Sequence, residues 1–237
     1  MHQGAADSDC RGTKAALASN DAVESVNALG GEVDAVLVGG TAAAIHAAHR
    51  VSFDDDHVLT DLRDRFEQVL DALEEDPAWG TARVRAPVLI LGRLEGVETG
   101  VRQLVRQRPL EIERVAVQGH ALVVPTLEEM TRVKAWLILR RNATRDYLDT
   151  VALASRLGEG AAGVLADLDA YYEDQHGSGG RRLASQLVRQ LADPRPFDLD
   201  PDELPRYREL VASLRSWTLV VRRCQDLSAS ILAELTR

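Results

Sequence analysis

The chain has 237 residues, enough to bury a self-supporting core without disulfides or a structural metal. Its 45% hydrophobic and 27% charged residues exclude fibrous and largely disordered classes. Lys+Arg 28 against Asp+Glu 37 leaves a net charge of −9, so any RNA or DNA contact has to use a local basic patch.

Cys10 and Cys224 lie far apart and lack CxxC spacing, which points to a reducing compartment and no zinc site. No apolar run approaches the ~20 residues of a membrane span. The first twenty residues lack the apolar centre of a secretory signal and read as a tail, so a cytoplasmic protein with no membrane partner is expected. Lys14 and Lys134 are the only lysines in an arginine-rich chain.

In chain order, a short helix is expected over 21–29, ended by Gly30-Gly31, and then a buried strand over 34–40 stopped by Gly39-Gly40. Thr41 can cap an Ala-rich helix over 42–49. A polar, acidic strand is expected within 50–59. An amphipathic helix follows over 61–75, with Leu62, Phe66, Val69, Leu70 and Leu73 at helical spacing. Strands are expected over 87–91, 110–117 and 121–124, the last two joined by a Gln118-Gly119-His120 turn.

After Pro125 the pattern turns helical. Thr126 and Glu129 form a capping-box signature opening a helix over 126–140. Further helices are expected over 144–157, 161–173, 182–191, 201–214 and 217–235, with a linker over 193–201 that holds three of the eight prolines. The expectation is an α+β fold: a small mixed sheet with helices, followed by an all-helical half. The corresponding domains are a tail (1–20), a core (21–125) and a helical C-terminal domain (126–237).

The chemistry-bearing stretch runs from Val38 to Val58. Glycines after a buried strand let backbone N–H groups approach a phosphate, and the helix that follows adds its positive end; Gly39, Gly40 and Thr41 stand there. Strand alternation puts Asp54 and Asp56 on one face and Asp55 on the other. Two carboxylates on one face suit Mg²⁺ held against a triphosphate. His46 and His49 approach zinc-ligand spacing without a third ligand, and read as a polar helix end touching the acidic strand.

Gly39-Gly40-Thr41, His49-Arg50 and Ser52-Phe-Asp-Asp-Asp56 resemble the nucleotidyltransferase superfamily that shares the DNA polymerase β catalytic fold. With Arg132-Val-Lys134 and Arg140-Arg-Asn-Ala-Thr-Arg-Asp-Tyr-Leu-Asp149, the pattern looks like the AbiEii/AbiGii toxin family. The resemblance implies a third metal-binding carboxylate on a later strand, for which Glu111 is expected, with Glu113 in reserve. It also implies a helix lysine and a downstream aspartate in the active site, here Lys134 and Asp149. Arg145 shares a face with Asp149 and is expected to contact the nucleotide. Asp146 is expected to brace an arginine or lysine.

Arg102, Arg106, Arg108 and Arg114, with Arg132, Arg140, Arg141 and Arg145, are candidates for a path that tracks acceptor phosphates. The implied reaction transfers a nucleoside monophosphate from a nucleoside triphosphate to a hydroxyl and releases pyrophosphate. A tRNA 3′ end is the implied acceptor, and the implied role is toxin beside an antitoxin protein. A protein or antibiotic hydroxyl, or an inactive nucleotide-binding or partner-binding module, is the alternative.

Overall fold

The computed structural model describes residues 35–117, 120–175 and 182–237, so the expected tail, the helix over 21–29 and Gln118-Gly119 of the expected turn lie outside it. The fold is α+β, and the described chain divides into two units. The first takes in 35–45, 51–105 and 111–125; the second takes in 46–50, 106–110 and 126–237. The two short insertions follow specific contacts: Arg50 pairs with Asp149, and Arg106 pairs with Glu129.

In the first unit, β1 (Val36–Val38) is buried throughout and leads directly into α1 (Gly39–Ala47), whose last two residues are counted with the second unit. β2 (Asp54–Leu59) alternates between half-buried and buried residues, as a strand with one covered face should. The helix expected from residue 61 starts later, as α2 (Phe66–Glu75), because 61–65 is taken up by turns in which Asp64 N–H and Arg65 N–H both donate to the Asp61 carbonyl. Leu62 is buried all the same and shares a core with Phe66, Val69, Leu73, Ile90 and Val101.

Three strands complete the main sheet: β3 (Trp79–Arg85), β4 (Leu89–Leu94) and β5 (Val97–Gln103). The order is β1-β2-β5-β4-β3, with β2 and β5 parallel and the other neighbours antiparallel. β4 and β5 form a hairpin closed by Glu95 (φ 49°) and Gly96 (φ 85°), the two positive angles that a type I′ turn demands. β6 (Ile112–Val117) and β7 (His120–Pro125) make a separate two-stranded sheet with Val117 opposite His120.

The second unit is helical. α3 (Leu127–Arg141) is capped as its sequence implies: the Thr126 hydroxyl accepts from Glu129 N–H. It ends at Asn142, which adopts the left-handed conformation (φ 47°). α4 (Thr144–Leu157) is capped from a distance, since Asp198 in the proline-rich segment accepts from Thr144 N–H at 2.6 Å and from its hydroxyl at 2.8 Å. The expected helix over 161–173 is broken into α5 (Ala161–Ala166) and α6 (Leu168–Tyr171), followed by a 3₁₀ turn.

Beyond that turn come α7 (Leu183–Ala192) and α8 (Trp217–Leu235). Between them, the expected helix over 201–214 is instead two 3₁₀ segments, Leu204–Glu209 and Ala212–Leu214. Leu204, Leu210 and Leu214 are all buried, and Pro205 stands at the start of the first segment.

Thr126→Ala should cost about 1 kcal/mol, the usual value of a lost N-cap, and lower the thermal midpoint by a few degrees while leaving far-UV circular dichroism unchanged.

Candidate active site

The first unit builds a carboxylate pair beside a glycine turn. Gly39 ends β1 with φ +72°, a conformation that favours glycine, and a Cβ there would lie only 3.1 Å from Asp56 Oδ2. Gly100 on β5 sits directly opposite Asp56 in the parallel register, and a Cβ there would lie 2.7 Å from Asp56 Oδ1. Asp56 therefore lies between two positions kept free of side chains. Asp54 lies on the same face, opposite Glu98. Thr41 is buried, and its hydroxyl donates to the Asp54 carbonyl at 2.7 Å, tying the start of α1 to β2. Arg102 Nε donates to Asp56 Oδ1 at 3.1 Å from the same face of β5.

Asp55 points the other way and is fully buried, with neither carboxyl oxygen hydrogen-bonded among the described residues. The neighbouring Thr41 hydroxyl is spent on the Asp54 carbonyl. Burial, then the charge of Asp56, pushes the Asp55 carboxyl up to about 8, against a smaller lowering by Thr41. His57 is buried on the same face, and burial pulls its imidazole down to about 4. Both side chains are neutral at pH 7, which is how a sheet face carrying an aspartate and a histidine can be covered.

The second unit gathers the other motif residues around Asp149, which is fully buried. Arg50 grips it with Nε on Oδ1 at 2.7 Å and Nη2 on Oδ2 at 3.0 Å. Lys134 Nζ donates to Oδ2 at 2.7 Å, and His49 Nε2 donates to Oδ1 at 2.7 Å. Burial alone would raise the Asp149 carboxyl, but Arg50, Lys134 and His49 together hold it well below the usual carboxylate range. Burial pushes the Lys134 ammonium down, against the opposing pull of Asp149. Asp146, also buried, receives Arg141 through two bonds of 2.6 and 2.7 Å.

Several expectations need correction. Glu111 precedes β6 and Glu113 lies on it, and β6 pairs with β7 rather than joining the sheet that carries Asp54 and Asp56. Among the described residues, no three His, Cys, Asp or Glu side chains gather as a metal site, so Asp54, Asp56 and Glu111 do not form one. The parallel neighbour of β2 is β5, whose Glu98 is ion-paired with Arg93 at 3.2 Å.

His49 binds Asp149 rather than the acidic strand. Lys134 is 1% exposed and ion-paired, where an extended phosphate ligand would be more open. The expected basic path is split: Arg106 and Arg132 are buried on Glu129 and Arg141 is held by Asp146, whereas Arg102, Arg108, Arg114 and Arg140 are exposed. Tyr171 lies under the guanidinium groups of Arg108 and Arg132, at 3.8 and 3.6 Å. Arg145 is half-buried and makes no hydrogen bond or ion pair among the described residues.

No protein-family model matches the chain. The heme uptake protein MmpL11 of Mycobacterium tuberculosis is 35% identical over 180 residues, covering 75% of this chain and 17% of that protein. The mycolic acid-containing lipids exporter MmpL11 of Mycolicibacterium smegmatis is 34% identical over 137 residues, covering 54% of this chain and 13% of that protein. The chain thus spans less than a fifth of the length of these relatives.

Among solved structures, the antibiotic-resistance factor ANT(2″)-Ia superposes with a TM-score of 0.51 at 11% identity, covering 70% of this chain and 94% of that one. An antigenic nucleotidyltransferase-like protein from Paracoccidioides brasiliensis gives 0.44 at 18% identity, covering 77% and 93%. The fold is nucleotidyltransferase-like.

Asp149→Ala would leave Arg50 and Lys134 buried without their counter-charge and should destabilise the chain by about 3–5 kcal/mol in denaturant titration. The folded carboxyl titrates below the unfolded value of about 3.9. Its contribution is therefore complete above that value and is lost as pH falls from there through the folded pKa.

Asp55 has the opposite sign. Its folded carboxyl keeps a proton that the unfolded chain releases, so between about pH 4 and about pH 8 this group makes stability fall as pH rises. Asp55→Asn should remove that part of the slope, seen as a flatter dependence of the urea midpoint on pH.

Proposed function

We propose that this chain is a nucleotidyltransferase of the AbiEii/AbiGii kind, which moves a nucleoside monophosphate from a nucleoside triphosphate onto the 3′ end of an RNA, with tRNA as the acceptor. The observation that carries this reading is the Asp54/Asp56 pair on one strand face, with Asp56 in van der Waals range of the Gly39 turn that opens α1.

Gly39, Gly40 and Thr41 present backbone N–H groups and the positive end of α1 to the triphosphate. Thr41 serves through its backbone, because its hydroxyl holds Asp54. Two carboxylates fit Mg²⁺, which keeps several waters and takes the rest of its ligands from substrate phosphates. Asp54 and Asp56 would hold that ion, and when bound it neutralises charge on the phosphates. The acceptor oxygen attacks the α-phosphorus in line, forming a phosphodiester and releasing pyrophosphate and a proton. Arg145, which makes no hydrogen bond or ion pair among the described residues, is assigned to the nucleotide. Lys134 and Asp149 serve the reaction as positioning residues, since their charges are satisfied by each other and by Arg50.

A toxin acting beside an antitoxin protein in the cytoplasm is the role that fits this chemistry. The fold likeness to ANT(2″)-Ia favours a second reading in which the acceptor is an antibiotic hydroxyl. The transport roles in the names of the MmpL11 relatives belong to far longer proteins, and no helix among the described residues is long and apolar enough to cross a membrane.

Incubation with Mg²⁺ and each α-³²P-labelled nucleoside triphosphate, with tRNA, protein and aminoglycoside pools separated afterwards, should put label in the tRNA. Asp56→Ala should lower that labelling by at least about a hundredfold. Label found only in the aminoglycoside pool would establish the second reading. No labelling of any pool would overturn both.

A further inference from the structure

The two oxygens of Asp56 face different neighbours. Oδ2 lies toward Gly39 and the turn that opens α1, while Oδ1 lies toward Gly100 and receives Arg102 Nε at 3.1 Å. Arg102 stands two residues beyond Gly100 on the parallel strand, so its side chain projects from the face that carries Asp54 and Asp56. The absent side chain at Gly100 leaves it room to do so: a Cβ there would meet Asp56 Oδ1 at 2.7 Å and Leu91 Cδ2 at 2.9 Å, with Arg102 Nη2 at 3.8 Å.

The pair is half-open to water, with side-chain exposures of 44% for Arg102 and 31% for Asp56, so the contact can exchange without unpacking the core. Lys134, the cation that sequence reasoning assigns to phosphate, is already bound to Asp149. Among the described residues of the first unit, the cation ion-paired with Asp56 is Arg102.

We infer that Arg102 is a built-in counter-cation, which holds Asp56 while the site has no divalent ion and turns to the polyphosphate of the nucleotide once a divalent ion takes the carboxylates. The inference rests on the nucleotidyltransferase reading above and adds to it a phosphate ligand on β5. A guanidinium serves both partners, because carboxylate and phosphate oxygens present the same pair of acceptors to its planar fork. An exposed ion pair of this kind is weak enough for a divalent ion to displace. Released beside the glycine turn, the side chain would meet the charge of a triphosphate seated there.

The test measures binding rather than turnover. Mn²⁺ is titrated into the protein and followed by electron paramagnetic resonance, first alone and then with a non-hydrolysable nucleoside triphosphate analogue, whose own affinity is read by calorimetry. Arg102→Ala should bind Mn²⁺ alone about two- to fivefold more tightly than the parent, because the competing cation is gone. The same variant should bind the analogue in the presence of Mn²⁺ about tenfold more weakly. Arg102→Lys should restore part of the nucleotide affinity, which a merely structural role would not predict.

Unchanged Mn²⁺ affinity in Arg102→Ala would overturn the inference, and so would unchanged affinity for the analogue. Mn²⁺ binding by the parent that disappears in Asp56→Ala would show that the carboxylate site exists, so an unaffected Arg102→Ala would then sink the Arg102 role alone. A parent that bound neither Mn²⁺ nor the analogue would sink the nucleotidyltransferase reading and this inference with it.

Discussion

One buried carboxylate organises the second unit. Asp149 accepts from nitrogens on three side chains, and these come from two places in sequence: His49 and Arg50 just after α1, and Lys134 in the middle of α3. A carboxylate with no exposure is tolerable only with partners of this number and geometry. The arrangement fixes more than charge. It sets the rotation of α3 and α4 about their axes, because Lys134 and Asp149 have to meet, and it draws 46–50 into the helical unit. The Asp198 cap and the left-handed Asn142 end act on the same pair of helices, so the entry to α4 and the exit from α3 are constrained by groups outside the cluster.

In the first unit the comparable constraint is alternation. Three consecutive aspartates would repel one another on any common surface, and a strand separates them. Asp54 and Asp56 share the half-open face, while Asp55 turns into the covered face and keeps its proton. The neutral form of Asp55 also spares Asp54 and Asp56 a third negative charge close behind them. The same period places Gly100 and Arg102 across from the aspartate face, so one parallel register brings close approach and counter-charge together.

Much of this was legible in the sequence because it is local. The Val-Leu-Val strand ending in paired glycines, the alternation of Asp54 to Asp56, and the Thr126 cap depend on residues within four positions of one another. Each appears in the structure at those residues. What escaped is nonlocal or weakly patterned. β5 reads Val-Glu-Thr-Gly-Val-Arg-Gln, and its central glycine and single charged residues hide a strand that is the parallel neighbour of β2. The Glu95-Gly96 turn was the available signal, since a two-residue turn of that type implies paired strands on both sides. With β5 unseen, the third carboxylate was sought on β6, which belongs to a different sheet. Without the parallel register, nothing in the sequence connects Arg102 to Asp56.

The arginines carry the same lesson about charge. Read along the chain, they cluster into stretches that look like a path for a polyanion. In the folded protein, Arg50, Arg106, Arg132 and Arg141 are held by Asp149, Glu129 and Asp146, three carboxylates that are themselves buried. Arginine suits that work, because its charge is weakly hydrated and its fork matches a carboxylate, whereas a lysine in the same place would lose more hydration. Composition therefore says little about which cations remain for a ligand. Arg145, half-buried and without an ion pair among the described residues, and Arg102, whose exposed pair with Asp56 is the kind that exchanges readily, are told apart from the buried arginines by geometry alone. In a protein of net charge −9, positive charge is thus a matter of individually placed guanidinium groups rather than of a diffuse positive surface.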